Sequence, residues 1–211
     1  MIVDDLLLLQ LMLLIRDTSP KTYLVGGCVR DMLMGNTPKD YDIVTTANIE
    51  VLNEDCGRFG PNGWSVDYVG QTFGVYVFSK DGRQFDVANF RKDIGGDGRR
   101  PQSISIGTLE EDAARRDFTI NSIYYDPFND NYIDPNNGIK DIKDKILRFI
   151  GKPHERIKED YLRVFRFYRF LNKLGFEPDK RSLKACRELF NEAYLNTTPE
   201  RVRMEIERMS V

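Results

Sequence analysis

Three aspartates set the first question. Asp40 and Asp42 stand one residue apart in Lys39-Asp40-Tyr41-Asp42-Ile43-Val44, where β-branched residues announce a strand. Side chains at i and i+2 of an extended segment share a face, about 7 Å apart along the backbone. Like charges held on one side repel unless something positive sits between them. Asp86 lies in a second strand-like run, residues 84–89, that could pair beside the first. Three carboxylates on neighbouring strands suit two Mg²⁺ ions, which prefer oxygen ligands and keep bound water. An isolated Asp-x-Asp is also common on ordinary surfaces, so the surroundings must decide.

Two other stretches bear on the aspartates. Gly26-Gly27 separates a strand-like run (22–25) from a short helix expected over 29–34, ending at Gly35. Backbone without side chains lets a polyanion approach, and a helix N-terminus offers free N–H donors, with Arg30 one turn in. A tight corner would use the same glycines. Further on, Arg115-Arg116-Asp117-Phe118-Thr119-Ile120-Asn121 offers Arg116, Asp117 and Asn121 to ribose and phosphate, while Phe118 and Ile120 read as core.

A helix expected over 156–174 carries a second kind of chemistry. At 100° per residue, Tyr161, Val164, Phe165, Tyr168 and Leu171 share one arc. Glu159, Arg163, Arg166 and Lys173 fall opposite, with Asp160 just beyond. That polar side is either a solvated face or an edge that reads bases. Cytosine and adenine each present an amine donor beside a ring-nitrogen acceptor, whereas guanine and uracil present the reverse. A carboxylate from Asp160 with a guanidinium from Arg163 complements the first pattern and opposes the second. A mismatched base would leave buried charges unpaired.

Composition narrows the classes. The 31 Lys+Arg nearly balance 33 Asp+Glu, a net −2, so any polyanion site must come from local clustering. With 41% hydrophobic and 11% aromatic residues, the composition supports a packed core and argues against disorder. Cys28, Cys56 and Cys186 are three, odd and widely spaced, and read as reduced cytoplasmic thiols. His154 is the sole histidine, against histidine-ligated metals and Ser-His-Asp chemistry. The apolar run at 6–15 follows Asp4 and Asp5 and is short for a bilayer, so it reads as a buried amphipathic helix, neither signal peptide nor membrane span.

These pieces order themselves as an α+β chain. Strands are expected at 22–25, 40–45, 66–69, 73–78 and 84–89, the last two joined at Asp81-Gly82. Residues 93–101, rich in Gly and charge, read as a mobile loop. A helix is expected from Leu109 to Ile123, a small strand at 132–133, and only helices beyond about Ile150.

In order, Gly26-Gly27-Cys28-Val29-Arg30-Asp31, Asp40-x-Asp42, Asp97-Gly98-Arg99-Arg100-Pro101, Arg115–Asn121 and Glu159-Asp160-x-x-Arg163 resemble the bacterial-type (class II) CCA-adding tRNA nucleotidyltransferases and their poly(A) polymerase relatives. The resemblance implies a polymerase-β-like nucleotidyltransferase head, a mixed sheet with flanking helices, over 1–149. A helical neck that recognises the base follows over 150–211. It implies catalytic Asp40, Asp42 and Asp86, metal held by Asp40 and Asp42, and triphosphate contacts from Gly26, Gly27, Arg30 and Arg116. Nucleotide contacts would extend to Asp117, Asn121, Asp160, Arg163, Arg166 and Arg169. Arg169 turns toward the apolar arc, where a structural role is equally at home. Asp141 and Arg148 match a further motif that an ordinary salt bridge would also explain, and Glu200 and Arg201 read as bracing. The implied activity adds C and A from CTP and ATP to tRNA 3′ ends. Poly(A) synthesis, partial CC or A addition, or a silent RNA-binding module are the alternatives. The short 86–115 connection favours CCA addition. Relative to that family the body and tail helices are missing, which leaves room for an accessory partner or a second copy to grip tRNA.

Overall fold

The computed structural model describes residues 5–48, 63–68, 75–94 and 103–209. Helix α1 (Leu6–Thr18) is capped by Asp5, whose carboxylate accepts from the Leu8 amide at 3.1 Å. It buries Leu8, Leu11, Met12 and Ile15 against the sheet, the i, i+3, i+4, i+7 spacing of an amphipathic stripe.

The main sheet has seven strands in the order β3-β4-β5-β2-β1-β8-β9. These are β1 (Thr22–Val25), β2 (Asp42–Thr45), β3 (Ser65–Tyr68), β4 (Val75–Lys80), β5 (Arg83–Asn89), β8 (Tyr124–Asp126) and β9 (Asn131–Ile133). All neighbours run antiparallel except β2 and β5, which are parallel and place Asp42 opposite Asp86. The Asp81-Gly82 turn has positive φ at both residues (52° and 75°), the combination a two-residue hairpin needs. A mixed sheet with flanking helices agrees with the sequence expectation; beyond Ile150 the chain is helical except for a two-residue strand at Glu177–Pro178.

Several boundaries differ from it. Strand β2 begins at Asp42, so Asp40 sits in the lead-in rather than within the strand. The flanks of the glycine-rich segment form a hairpin, β6 (Arg91–Ile94) with β7 (Ser103–Ile106), while 95–102 lie outside the described residues. The Asp97–Pro101 motif, Cys56 and the ends of two expected strands (Val69, Phe73) lie outside them too.

Helix α2 (Gly27–Leu33) follows the Gly26 turn, and Gly35 ends it at φ +80°. Helix α3 spans only Leu109–Arg115, opened by a capping box between Thr108 and Glu111. The expected continuation to Ile123 fails because Arg116 is extended, after which a 3₁₀ turn covers Thr119–Asn121. Phe118 instead bridges to Phe149 and stacks near its ring at 4.9 Å. Tertiary pairing overrides helical propensity here.

Helix α4 (Gly138–Asp144) packs against that turn so closely that a Cβ on Gly138 would meet the Thr119 carbonyl oxygen at 2.2 Å. Asp141, beside it, accepts from Thr119 Oγ1 and pairs with Arg148, a structural tie. A short parallel pair, β10 (Ile146–Leu147) with β11 (Glu177–Pro178), joins the sheet region to the helices beyond.

The expected single helix over 156–174 is two: α5 (Pro153–Glu159) and α6 (Leu162–Leu174), broken where Asp160 is extended at φ −150°. Helix α6 buries Leu162, Val164, Phe165, Phe167, Arg169 and Phe170, a wider stripe than the sequence arc. Phe118, Phe149, Phe167 and Phe170 form one aromatic cluster beneath it. At about 2 kcal/mol per fully buried aromatic, that cluster clamps α6 to the end of the sheet. Helices α7 (Lys180–Glu188), α8 (Phe190–Asn196) and α9 (Pro199–Glu207) complete the chain, with α9 packed on α6.

Candidate active site

Between the carboxyl-bearing edge of the sheet and helices α6 and α9 lies a cleft of about 790 Å³. Its lining includes twelve of the thirteen residues expected at the site; Asp86 is the exception. Asp40 and Asp42 both face it, and Asp86 stands beside Asp42 through the β2–β5 register. The two rims are chemically unlike.

The sheet rim is acidic. No ion pair reaches Asp40, Asp42 or Asp86 among the described residues. Withdrawal from bulk water raises the Asp42 pKa above the usual carboxylate range; the Arg116 charge offsets part of this, and Asp86 and Asp40 add to it. Asp86 is raised as well, by burial first and Asp40 second. Repulsion within the cluster is therefore felt in the folded state.

Gly26 opens the floor between the rims. Its φ of +82° disfavours side chains, and a Cβ there would stand 3.4 Å from Arg116 Nη1 and 3.6 Å from Asp42 Oδ2. Arg30, almost fully buried, donates to Asn121 Oδ1 at 2.8 Å and to Asp31 at 2.6 Å. Asn121 in turn donates to Asp117.

The helical rim is basic, and its arginines arrive already partnered. Arg116 is held by the buried Asp112 at 2.9 and 3.0 Å, and Tyr124 donates to the same carboxylate oxygen at 2.7 Å. Burial opposes the Arg116 charge, but Asp112 more than compensates and raises its pKa. Arg166 donates twice to Asp117, at 2.5 and 2.9 Å. Burial would raise the Asp117 pKa, yet the Arg166 charge and these bonds bring it down to about 2. Arg169 pairs with Glu205 at 2.5 Å, both buried, so the turn toward the apolar arc serves a structural pair while the residue still lines the cleft.

The two expected base-reading residues do not pair with each other. Asp160 accepts both terminal nitrogens of Arg201, at 3.1 and 3.2 Å, and also the Leu162 amide. Arg163 is held by Glu159 and by the Arg156 carbonyl oxygen, each at 2.7 Å. The break at Asp160 causes this: carboxylate and guanidinium leave the chain at a helix start rather than from one continuous face.

Sequence reasoning missed three participants. Asp112 carried a legible signal, since it precedes Arg115 and Arg116 by three and four residues on one helix. Glu205 carried none: among the charges of α9 only the fold shows that it is the buried one (2% exposed). Arg201, taken as a brace, does brace Asp160, but at the cleft itself.

The cleft lining holds eight Arg and Lys side chains against four Asp, in a chain whose net charge is −2. Such a site accepts a polyanion. Among the described residues no three acidic, histidine or cysteine side chains, Asp40, Asp42 and Asp86 included, converge closely enough to hold a metal ion. Mg²⁺ does not require three, because it is usually held by one or two carboxylates with waters and substrate phosphates. An oxygen-only, unpaired donor set fits that ion.

Residues 22–148 match the family described as the Poly A polymerase head domain. The chain belongs to that family. It is 38% identical to Poly(A) polymerase I of Haemophilus influenzae over 182 residues, 80% of this chain and 38% of that protein. It is 39% identical to the CCA-adding enzyme of Streptococcus mutans over 170 residues, 80% of this chain and 40% of that one. Among solved structures it resembles the Bacillus stearothermophilus CCA-adding enzyme in complex with CTP, with a TM-score of 0.78 and 32% identity. That match covers 97% of this chain and 49% of the other. A tRNA nucleotidyltransferase complexed with a primer tRNA and an incoming ATP analog matches with a TM-score of 0.72 and 28% identity, over 90% and 54% of the two chains. This poly(A) polymerase-family chain thus spans about half the length of the relatives it matches or less. Among its described residues no helix is long and apolar enough to cross a membrane.

Proposed function

We propose that this family member transfers nucleotides from CTP and ATP to the 3′ end of tRNA without a template, releasing pyrophosphate. One observation carries the reading: an unpaired acidic rim faces an arginine rim across a glycine floor, in a cleft of nucleotide size. The acceptor 3′-oxygen forms a bond to the α-phosphorus. The bond from that phosphorus to the bridging oxygen breaks, and pyrophosphate leaves with the electron pair. The hydroxyl proton passes from the 3′-oxygen to a carboxylate of the acidic rim. Two Mg²⁺ ions, held by Asp40 and Asp42 with Asp86 beside them, would activate the attacking oxygen and neutralise charge on the leaving group.

The other side chains bind and orient. Gly26 and Gly27 let phosphate oxygens reach the backbone, and Arg30 and Arg116 balance their charge. Asp117 and Asn121 hold the sugar side, with Arg166 fixed against Asp117. Asp160 and Arg163, with Arg166 and Arg169 behind them, select cytosine and adenine. The partners that hold Asp160 and Arg163 keep both side chains oriented before a base arrives, which supports discrimination at low entropic cost. The buried Cys28 and Cys186, whose thiol pKa values burial pushes up, accord with work in a reducing cytoplasm.

The relatives include both CCA-adding enzymes and a poly(A) polymerase, which gives the test its two arms. tRNA lacking its terminal trinucleotide is incubated with CTP and ATP, separately and together, and the products are sequenced. Growth that stops after C, C and A supports the reading. Unlimited addition of A replaces it with poly(A) synthesis. Asp42→Ala with undiminished incorporation overturns the metal argument.

A further inference from the structure

Helix α3 ends at Arg115, which leaves its last carbonyls without an intrahelical donor. They are closed from far along the chain. Arg156, on α5, donates from Nη2 to the Arg115 and Arg116 carbonyl oxygens, at 2.6 Å each. Arg163, on α6, adds a third bond to the Arg115 carbonyl oxygen at 3.2 Å. Cationic donors suit that place, because the carbonyls at a helix end carry its partial negative charge.

The same two arginines are locked to each other. Arg156 pairs with Glu159, Glu159 also holds Arg163, and Arg163 donates to the Arg156 carbonyl oxygen. Only 11% of the Arg156 side chain is exposed, and its Nε has no hydrogen-bond partner among the described residues. Burial first, and the Arg163 charge second, work against its own charge. Stability alone does not account for a buried cation with an unmet donor.

Its position does. Arg156 does not line the cleft, whereas Arg116 and Arg163 both do. Arg116 carries its guanidinium to the Gly26 floor, and Arg156 grips the backbone from which that side chain springs. We propose that Arg156 is a positioning residue that sets Arg116 and Arg163 in one register, so that a nucleotide meets its phosphate contact and its base contact together. The proposal rests on the nucleotidyltransferase reading for the assignment of Arg116 to phosphate and Arg163 to base.

Calorimetric titration of the full chain with CTP in Mg²⁺, without RNA, tests it. Arg156→Ala weakens CTP binding about tenfold. In an Arg116→Ala or an Arg163→Ala background the same substitution costs about twofold or less, because its effect passes through those side chains. Selectivity for CTP over GTP falls about threefold or more in Arg156→Ala, a readout that a merely structural residue leaves unmoved. Urea midpoints check folding. Should Arg156→Ala unfold, Arg156→Lys decides: it keeps the charge without the planar fork that spans two carbonyls and Glu159, and it weakens CTP about threefold. Losses that add across the double variants, or unchanged CTP affinity and selectivity, overturn the proposal while the nucleotidyltransferase reading stands. A wild type that binds CTP yet extends no RNA overturns that reading alone, and one that binds no CTP overturns both.

Discussion

The two rims of the main cleft use charge in opposite ways. On the helical rim Arg116, Arg166, Arg169 and Arg201 each pair with a carboxylate: Asp112, Asp117, Glu205 and Asp160. On the sheet rim Asp40, Asp42 and Asp86 share a small space with no such partner, and Asp42 and Asp86 hold their protons more tightly than ordinary carboxylates. Asp40, Asp42 and Asp86 keep exposed surface, whereas Asp112 and Glu205 are buried against their arginines. The arginines of the basic rim are held by the protein's own carboxylates and line the cleft. The carboxylates of the acidic rim have no ion-pair partner among the described residues. Fold stability should therefore reside in one rim and chemistry in the other.

That division can be broken experimentally. Asp42→Asn should abolish nucleotide incorporation by about 1,000-fold or more, the scale of several kcal/mol of lost metal-assisted stabilisation. Its melting temperature at pH 7 should not fall. A carboxylate whose folded pKa is raised weakens the fold above that pKa, and the amide removes the repulsion. A large loss of stability would show that Asp42 is structural and would erase the contrast. Asp112→Ala should do the reverse, costing about 3 kcal/mol because it strands two arginines, seen as a lower urea midpoint. A smaller effect comes from Asp117, whose folded pKa lies near 2 against an ordinary 3.8. Depression of the folded pKa stabilises above pH 4 and is lost as pH falls toward 2, about 2 kcal/mol in urea titrations. Asp117→Asn should flatten that part of the profile. Least of all, Arg203→Ala, on the outer face of α9 and paired among the described residues only with Glu207, should move the melting temperature by about 1 °C or less.

Much of the acidic rim was legible in the sequence, because strand alternation and pairing are local rules. Asp42 and Asp86 meet in register as two neighbouring strands imply, whereas the Asp81-Gly82 hairpin sets the register of β4 on β5 alone. The basic rim was legible only by residue type. Arg166 and Asp160 stand where their numbers suggested, but nothing in a helical wheel reveals that Asp160 breaks the helix or binds Arg201, forty-one residues on. Long-range ion pairs are decided by packing. Phe118 shows the same limit: its bridge to Phe149 ended a helix that local periodicity extended to Ile123. Glycine meanings were mixed. Gly26 spoke through its neighbour Gly27, whereas the close approach of Gly138 to Thr119 needed coordinates.

Calorimetric titration of Mg²⁺ into the protein with a non-hydrolysable CTP analogue tests the division most directly. The prediction is saturable binding for the wild type that disappears in Asp42→Asn, with nucleotide still retained by the arginines. Undiminished Mg²⁺ binding by that variant would show that these aspartates do not await a cation, and the contrast between the rims would be void.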